Sequence, residues 1–425
     1  MVQAGYMIAA GDNRASTDYY SQGLRARFQI DAARAAVRPK VTQYADIGYA
    51  VDEVAFKRRS EARLAARGLP THLPDGFPAR VTGPLVWTTS DIQDESEYVY
   101  YLTDDDKAEI LAALGEFKER GLDGNEVTPA TFPLPNLATK LSSVCSDIYE
   151  GRGYAILRGL DPDAYHIEDL TIIYLGISSY VGERRGKQDH NGSMLMHVIN
   201  RNDESRDRQY SEDKPFHTDT VTDCLCLFVQ NVAAGGGRSV LASAWTVYNE
   251  LAATRPDLIH TLATPDWPFD TYGRSPPYYT RPLLFHHDDK IITSFSRRLL
   301  VGHLPFDGHS PGIPGLTEAQ AEALDAVHFT ARCHEITPTL LRGDLRFINN
   351  MAIMHRREAF VNSNDTARHL VRVWLNNPSR CWALPRPLRI AWARVFEDDE
   401  RGERWDIEPP RSVEGKVLRV AGSCD

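Results

Sequence analysis

The sequence predicts a mainly β protein with flanking helices, an α+β class whose strands form a sandwich or barrel. Beyond Gly182, short apolar runs alternate with turn residues, which is typical of a sheet-rich core. Ahead of Gly182 the apolar residues recur with helical spacing instead. We see no internal repeat. The strands predicted in the β-rich part are 194–199, 224–229, 283–285, 291–295 and 369–375.

The helices predicted ahead of the β-rich part lead into it through one strand. The first spans 104–120, because Thr103 can cap its start and acidic residues fill its first turn. Ile110, Leu111, Leu114 and Phe117 are expected on its apolar face. The other predicted elements are a helix ending near Gly151, a strand at 153–159 and helices at 168–181, 245–254 and 317–329.

The domain organisation follows from these patterns. Residues 1–85 form an N-terminal extension of unclear structure, and residues 86–425 form one β-rich domain with helices at its N-terminal end. Within that domain, residues 265–314 are dense in Pro, Gly, Tyr and His, and they are too numerous for a plain connector. We expect them to form a lid-like insertion.

Composition excludes several classes of function. The 425 residues include 48 Lys+Arg and 58 Asp+Glu, so the net charge of −10 argues against a broad nucleic-acid or anionic-membrane surface. No run approaches the roughly 18 apolar residues of a membrane helix. Six cysteines do not make a disulfide framework, and the N-terminus lacks the pattern of a secretory signal. We therefore expect a cytoplasmic protein that binds neither nucleic acid nor membrane.

A first candidate metal-binding pair is His217 and Asp219. It leads directly into the predicted buried strand at 224–229, and residues i and i+2 of an extended chain point to the same side, so both can reach one ion. Two further His-x-Asp pairs at 286–289 lie in a predicted surface hairpin. Taken alone, the His217/Asp219 pair is also typical of a structural or surface role.

A second candidate ligand is His355. A turn at 343–344 leads into an apolar strand, then to Asn349 and Asn350, and a short apolar step ends at His355. A strand-end histidine that hydrogen-bonds to the backbone would give the same pattern. Only its combination with a distant His-x-Asp pair points to a shared metal ion.

Two arginines share one face of the strand at 369–375 and the residue before it. Arg368, Arg372 and Trp374 alternate with apolar residues in a segment that we expect to be buried on both faces. A buried guanidinium is costly unless it is paired with an anion. The arginines therefore form structural salt bridges, or they bind carboxylates of small ligands in the bidentate geometry that suits them.

Together these motifs resemble the TauD/TfdA family of Fe(II)/2-oxoglutarate oxygenases, the taurine dioxygenase and gamma-butyrobetaine hydroxylase type. The family pattern is His-x-Asp, a Gly-Gly-x-Thr turn about 22 residues later, a distal His and Arg-x-x-x-Arg. The spacings here are 239 − 217 = 22 and 368 − 355 = 13. The resemblance covers roughly residues 86–390 and implies a double-stranded β-helix (jelly roll) core. The matching residues are His217-Thr-Asp219, Gly236-Gly237-Arg238-Ser239, His355 and Arg368-His-Leu-Val-Arg372.

The resemblance also implies roles for these residues. His217, Asp219 and His355 would hold Fe(II), while Arg368 and Ser239, which stands where the family usually has Thr, would bind 2-oxoglutarate. Fe(II), 2-oxoglutarate and O2 are the implied cofactor and cosubstrates. The reaction would oxidise an unactivated C–H bond by hydroxylation, cyclisation or desaturation and release succinate and CO2.

Charge counting suggests the substrate class. Iron with Asp219 carries +1, 2-oxoglutarate brings −2 and Arg368 restores neutrality, so Arg372 is an extra cation near the site. We hypothesise that Arg372 binds a carboxylate of a small-molecule substrate resembling an amino acid, with Gln188 as a weaker substrate-side candidate. The sequence leaves open whether the chain forms a homo-oligomer.

Two other classes stay open at this point. A zinc-dependent hydrolase could use the same two histidines and aspartate, but it would need a general base and not the paired arginines. A catalytically silent binding module on the same scaffold would be favoured if a ligand residue were missing, and all three are present.

Overall fold

The computed structural model describes residues 43–66, 68–92, 94–189, 191–199, 212–271, 277–302, 312–363, 367–398 and 401–409. Residues 1–42 of the predicted N-terminal extension, and 272–276 and 303–311 of the predicted insertion, lie outside these ranges. Among the described helices, none has the length and apolar composition needed to cross a bilayer.

Helices and strands follow the predicted order closely. The described α-helices are α1 (Glu53–Ala65), α2 (Asp104–Glu119), α3 (Leu137–Tyr149), α4 (Ile167–Ser179), α5 (Ala244–Thr254), α6 (Pro256–Ala263), α7 (Arg297–Val301), α8 (Glu318–Cys333) and α9 (Arg389–Phe396). The described strands are β1 (Val99–Tyr101), β2 (Tyr154–Arg158), β3 (Arg184–Arg185), β4 (Met196–Ile199), β5 (Cys224–Asn231), β6 (Gly235–Gly236), β7 (Ser239–Ser243), β8 (Trp267–Asp270), β9 (Tyr278–Arg281), β10 (Leu284–His287), β11 (Lys290–Thr293), β12 (Leu345–Asn349), β13 (Ile353–Arg357), β14 (Phe360–Val361) and β15 (His369–Asn376).

One large sheet and a smaller strand pair form the jelly roll. The large sheet has the order β1-β2-β12-β5-β15-β3, with β4 also paired to β15. Its members are antiparallel except for β1 and β2. The smaller layer is built on β7 and β13, which pair antiparallel. The predicted double-stranded β-helix core is confirmed.

Side-chain alternation gives the large sheet two buried faces. On β5, Leu225 and Leu227 belong to a core cluster that also holds residues of β7 and β13, whereas Cys226 and Phe228 belong to a second cluster with α2, α3 and α4. Because strand residues point alternately to opposite faces, the first cluster lies between the β layers and the second lies under the helices. The predicted metal ligands are on the inner side.

Helix α2 illustrates how local sequence sets an element. The Thr103 hydroxyl accepts a hydrogen bond from the Asp106 N–H at 3.2 Å, and the Asp106 carboxylate accepts one from the Thr103 N–H at 2.8 Å, a complete capping box. Ile110 and Phe117 are fully buried, as predicted, but Leu111 is 50% exposed, so that part of the prediction is wrong.

Part of the N-terminal extension has a defined structure. Helix α1 packs on α8, and its Arg59 is buried, with Nη1 3.1 Å from Oδ2 of Asp325. Arg297 contributes a second cation, whose Nη1 lies 2.6 Å from Oδ1 of the same carboxylate. Two arginines thus share one buried acid, which connects α1 to α7 and α8.

The predicted insertion at 265–314 contains two strand pairs, β8–β9 and β10–β11, followed by α7. Asp288 and Asp289 form the β10–β11 turn with φ of 50° and 56°, a left-handed conformation that aspartate tolerates. The His-x-Asp pairs at 286–289 therefore lie in a surface hairpin, as predicted, and not at a metal site.

Candidate active site

Two predicted metal ligands meet across a backbone bridge. The His217 N–H donates to the His355 carbonyl at 3.0 Å, and the His355 N–H donates to the His217 carbonyl at 2.9 Å. Their imidazole centroids are 4.4 Å apart. Oδ1 of Asp219 lies 3.6 Å from Nε2 of His355. Within the described ranges, this is the one group of three or more His, Cys, Asp or Glu donors that come within 4.8 Å of one another.

The donor set fits a six-coordinate divalent metal. Adjacent ligand atoms at about 2.1 Å from an octahedral ion are roughly 3 Å apart, so the three donor atoms, which lie within 4.8 Å of one another, would move closer together on binding an ion. Nδ1 of His217 donates to the Pro215 carbonyl at 2.9 Å, because a carbonyl can only accept. This hydrogen bond fixes the tautomer and directs the Nε2 lone pair away from the backbone, as metal-binding histidines require.

The loop that carries His217 and Asp219 is held at each of three successive residues. His217 pairs with His355, as described. The Thr218 hydroxyl accepts from the Phe295 N–H at 3.0 Å and lies 3.3 Å from the Phe295 carbonyl. The Asn350 side chain accepts from the Asp219 N–H and donates to the Asp219 carbonyl, both at 2.8 Å. The backbone is therefore fixed without a metal ion.

Trp374 and Arg372 contact the carboxylate of Asp219. The Trp374 indole N–H donates to Oδ2 at 2.6 Å, and Nη1 of Arg372 lies 3.0 Å from the same oxygen. Gln188 completes the arrangement: its Oε1 accepts from Nε of Arg372 at 2.8 Å, and its amide donates to the carbonyls of Arg372 and Met194. All four interacting side chains, Asp219, Trp374, Arg372 and Gln188, are buried.

The structure thus brings both predicted substrate residues to the metal side. Arg372 forms an ion pair with a candidate metal ligand, and Gln188 positions that arginine. Neither contact was anticipated from the sequence. The ion pair between Arg372 and Asp219 matches the first of the two alternatives given for the arginines of this strand, a structural salt bridge.

The predicted cosubstrate residues Ser239 and Arg368 are connected through Arg357 and Phe360, and we call these four residues the cosubstrate corner. Ser239 is the cross-strand partner of Arg357, whose guanidinium carbon lies 4.4 Å from the Phe360 ring centroid. The guanidinium carbon of Arg368 lies 5.8 Å from the same ring. At Gly237, with φ of 66°, an added Cβ would lie 2.9 Å from Phe360 and 3.2 Å from Cδ of Arg368. Glycine is therefore required there for close approach as well as for backbone conformation.

A polar cavity of about 100 Å³ opens beside Trp374. Trp374 and Thr220, the residue after Asp219, form part of its wall. Asp270 and Tyr279 reach it from the insertion at 265–314, and Arg394 reaches it from α9. Asp270 is 6% exposed. Charged residues of both signs and three hydroxyl-bearing residues, Thr220, Thr271 and Tyr279, thus line a small space. A larger cavity of about 270 Å³ lies on the helix-covered face of the sheet, away from these residues.

His328 forms a hydrogen bond with the backbone of the loop that carries His217 and Asp219. Its Nδ1 accepts a hydrogen bond from the Phe216 N–H at 3.2 Å, one residue before His217. Burial lowers the pKa of His328 from 6.5 to about 3, and the nearby guanidinium groups of Arg297 and Arg356 act in the same direction. His328 is therefore a neutral acceptor, which suits its contact with a backbone donor.

Sequence reasoning missed several functional contacts. Trp374 was on the same predicted face as Arg372, so strand alternation could have suggested it. Asn350 lay within the motif before His355, but nothing local indicated that it reaches Asp219. The contact between Thr218 and Phe295 joins segments 77 residues apart and had no sequence signal.

Comparisons with known proteins identify relatives of this chain. Residues 118–374 match the model of the taurine catabolism dioxygenase TauD/TfdA family. The taurine hydroxylase-like protein SAT17 of Stachybotrys chartarum is 32% identical over 365 residues, covering 82% of this chain and 94% of that protein. FR-33289 synthase of Streptomyces rubellomurinus is 25% identical over 314 residues, covering 70% and 90%.

A solved structure supports the fold. An asparagine oxygenase in complex with Fe(II), (2S,3S)-3-hydroxyasparagine and succinate superposes with a TM-score of 0.52 at 17% identity, covering 66% of this chain and 93% of that one. The family match spans more than half of the chain and includes all three clustered donors. This chain therefore belongs to the TauD/TfdA family and is a non-haem iron dioxygenase that uses Fe(II), 2-oxoglutarate and O2.

Proposed function

We propose that His217, Asp219 and His355 hold the Fe(II) and that Arg368 and Ser239 bind 2-oxoglutarate beside it. The observation that carries the proposal is the convergence of three donor atoms within 4.8 Å of one another. Two imidazoles and one carboxylate leave three positions of an octahedral ion open. A chelating 2-oxo acid and dioxygen together require three.

Each protein group has a defined task in this proposal. When bound, the iron and 2-oxoglutarate supply the oxidative chemistry, with succinate and CO2 as products. His217 keeps Nε2 available for the metal because its Nδ1–H is held by Pro215. Asn350 and Thr218 hold the backbone on either side of the ligand atoms, so little reorganisation accompanies metal binding.

The cosubstrate corner supports the second part of the proposal. Arg368 is 7% exposed, and its planar guanidinium suits a bidentate contact with the distal carboxylate of 2-oxoglutarate. The guanidinium groups of Arg368 and Arg357 both lie near the Phe360 ring, which restricts the movement of the two side chains. Ser239, opposite Arg357, offers the hydroxyl that the family places at this turn.

We further propose a small amino-acid-like substrate that carries a carboxylate. The polar cavity beside Trp374 favours it, since Asp270 can accept from an ammonium group and Arg394 can donate to a carboxylate. The solved asparagine oxygenase acts on a molecule of this class. Asp270 and Tyr279 come from residues 265–314, which supports a lid role for that insertion. Arg372 contacts Asp219 and does not border this cavity, so Arg394 is the better candidate for the substrate carboxylate.

The test is reconstitution of the purified chain with Fe(II) under anaerobic conditions, followed by addition of O2, 2-oxoglutarate and a library of small carboxylates and amino acids. We expect substrate-dependent succinate release that the His355→Ala variant loses. Activity that requires zinc but no O2 would instead support the hydrolase alternative. Comparison of Asp270→Asn with Asp288→Asn, an exposed aspartate of the surface hairpin, then tests the ammonium contact through the substrate KM.

A further inference from the structure

The two oxygens of the Asp219 carboxylate have different surroundings. Oδ2 accepts from the Trp374 indole N–H at 2.6 Å and lies 3.0 Å from Nη1 of Arg372. Oδ1 faces Nε2 of His355 at 3.6 Å. One oxygen is therefore engaged by the β15 strand, while the other lies among the imidazoles.

The main chain of Asp219 cannot move to change the surroundings of the two oxygens. Asn350 holds both its N–H and its carbonyl at 2.8 Å, and a further amide hydrogen of Asn350 reaches the Thr222 carbonyl at 3.0 Å. Only rotation about the side-chain bonds of Asp219 can change which oxygen faces the imidazoles. The groups that contact Oδ2 therefore decide the orientation of the carboxylate.

Trp374 is better suited than Arg372 to fix this rotation. Its indole is a rigid donor with 2% exposure, whereas the guanidinium has several donors and is shared with Gln188. The guanidinium carbon of Arg372 also lies 5.2 Å from the Trp374 ring centroid, so the ring helps to place the arginine. Trp374 therefore makes one contact on Oδ2 and, together with Gln188, borders the guanidinium that makes the other.

We propose that Trp374 is a positioning residue that makes Asp219 a one-oxygen metal ligand. This inference rests on the proposed metal site. A carboxylate that bound through both oxygens would occupy a fourth position and leave only two open, too few for a chelating cosubstrate and dioxygen. Hydrogen bonding of the second oxygen prevents this, as partners of metal ligands commonly do.

The test compares Trp374→Phe, which keeps an aromatic ring but removes the N–H, with Trp87→Phe. Trp87 is a matched control, because it is also 2% exposed and its indole N–H donates to a backbone carbonyl, that of Arg152, at 2.9 Å. The readouts are the Co(II) dissociation constant, from competition with a chromogenic chelator, and the visible absorption of bound Co(II), which responds to the ligand atoms around the ion.

We expect Trp374→Phe to weaken Co(II) binding by about 10-fold, the lower end of the range for loss of such a partner. The visible spectrum of bound Co(II) should change, because the second oxygen of Asp219 replaces one water ligand while the ion stays six-coordinate, whereas Trp87→Phe should change neither readout. If the wild-type protein binds Co(II) and Trp374→Phe shows the same affinity and absorption, the inference about Trp374 is overturned. The proposed metal site would still stand in that case. Wild-type chain that bound no Co(II) at all would reject the proposed site itself.

A second replacement keeps the test decisive if Trp374→Phe fails to fold. The benzothiophene analogue of tryptophan, incorporated at position 374, preserves the ring system and replaces only the N–H by sulfur. We expect it to reproduce the loss of Co(II) affinity and the change in absorption. Wild-type values for both would refute the role of the indole N–H.

Discussion

His217 and His355 form a reciprocal pair of backbone hydrogen bonds although 355 − 217 = 138 residues separate them, with N···O distances of 3.0 and 2.9 Å. Their side chains project from the same bridge, so the relative position of these two proposed metal ligands is set by main-chain geometry. At the proposed metal site, folding alone therefore builds this arrangement.

The contact between Thr218 and Phe295 connects the backbone bridge of His217 and His355 to the insertion at 265–314. Thr218→Val keeps the shape but leaves the buried Phe295 N–H without its hydroxyl acceptor, so we expect the free energy of unfolding to fall by about 1–3 kcal/mol. Because Thr218 lies between two proposed metal ligands, His217 and Asp219, metal affinity should fall as well. Chemical denaturation and metal titration measure the two effects.

A matched control for that variant exists elsewhere in the chain. The Thr246 hydroxyl accepts from the Trp87 N–H at 3.1 Å and donates to the Trp87 carbonyl at 2.7 Å, the same reciprocal contact. Thr246→Val should reduce stability to a similar extent but leave metal affinity unchanged. Equal metal affinities in the two variants would show that the Thr218 contact only stabilises the fold.

The cosubstrate corner predicts a graded response in the KM for 2-oxoglutarate. Arg368→Lys removes the planar fork, and we expect the KM to rise by about 10- to 100-fold, since a hydrogen bond to a charged group contributes about 1.5–3 kcal/mol. Ser239→Ala removes one hydroxyl contact and should raise it by about 5-fold. Arg238→Lys, at an exposed arginine that pairs with Glu358, should have no effect. A KM that responded only to Arg238→Lys would contradict the assignment.

Arg372→Leu distinguishes two roles for that residue. If Arg372 chiefly balances the charge of Asp219, the variant should bind metal more weakly and lose about 3–5 kcal/mol of unfolding free energy, because a buried carboxylate loses its cation. If it binds the substrate carboxylate, the substrate KM should rise while metal affinity stays at the wild-type value. We expect the first outcome, and metal titration beside steady-state kinetics separates the two.

The neutral His328 makes stability depend on pH. The pKa of His328 is about 3 in the folded protein and 6.5 in the unfolded chain. Between these two pH values, unfolding is therefore accompanied by protonation of His328. The stabilising contribution is complete above about pH 6.5 and is lost as pH falls toward 3; at pH 5 the loss is about 2 kcal/mol. His328→Gln should reduce the decrease in unfolding free energy between pH 7 and pH 5. His287→Gln, at an exposed site, should leave that decrease unchanged, and an equal decrease in all three proteins would disprove the assignment.

Local sequence was a good guide to elements and a poor guide to their contacts. The predicted strand at 369–375 is observed as His369–Asn376, and the helix predicted at 104–120 as Asp104–Glu119. Leu111 is exposed although it is apolar, since the buried stripe of that helix follows Ile110, Leu114 and Phe117 at spacings of four and three. Periodicity locates a face, but only the packing partner determines how wide that face is.

The sequence by itself determined the fold class, the residue types that cluster and the family, because alternation, turn chemistry and motif spacing are local properties of the chain. Only the tertiary structure decided that Arg372 and Trp374 contact Asp219, and that Asn350 holds its backbone. The physical reason is that these contacts depend on how far β15 lies from the 217–219 loop. That separation results from the packing of two β layers, and no short stretch of sequence encodes it.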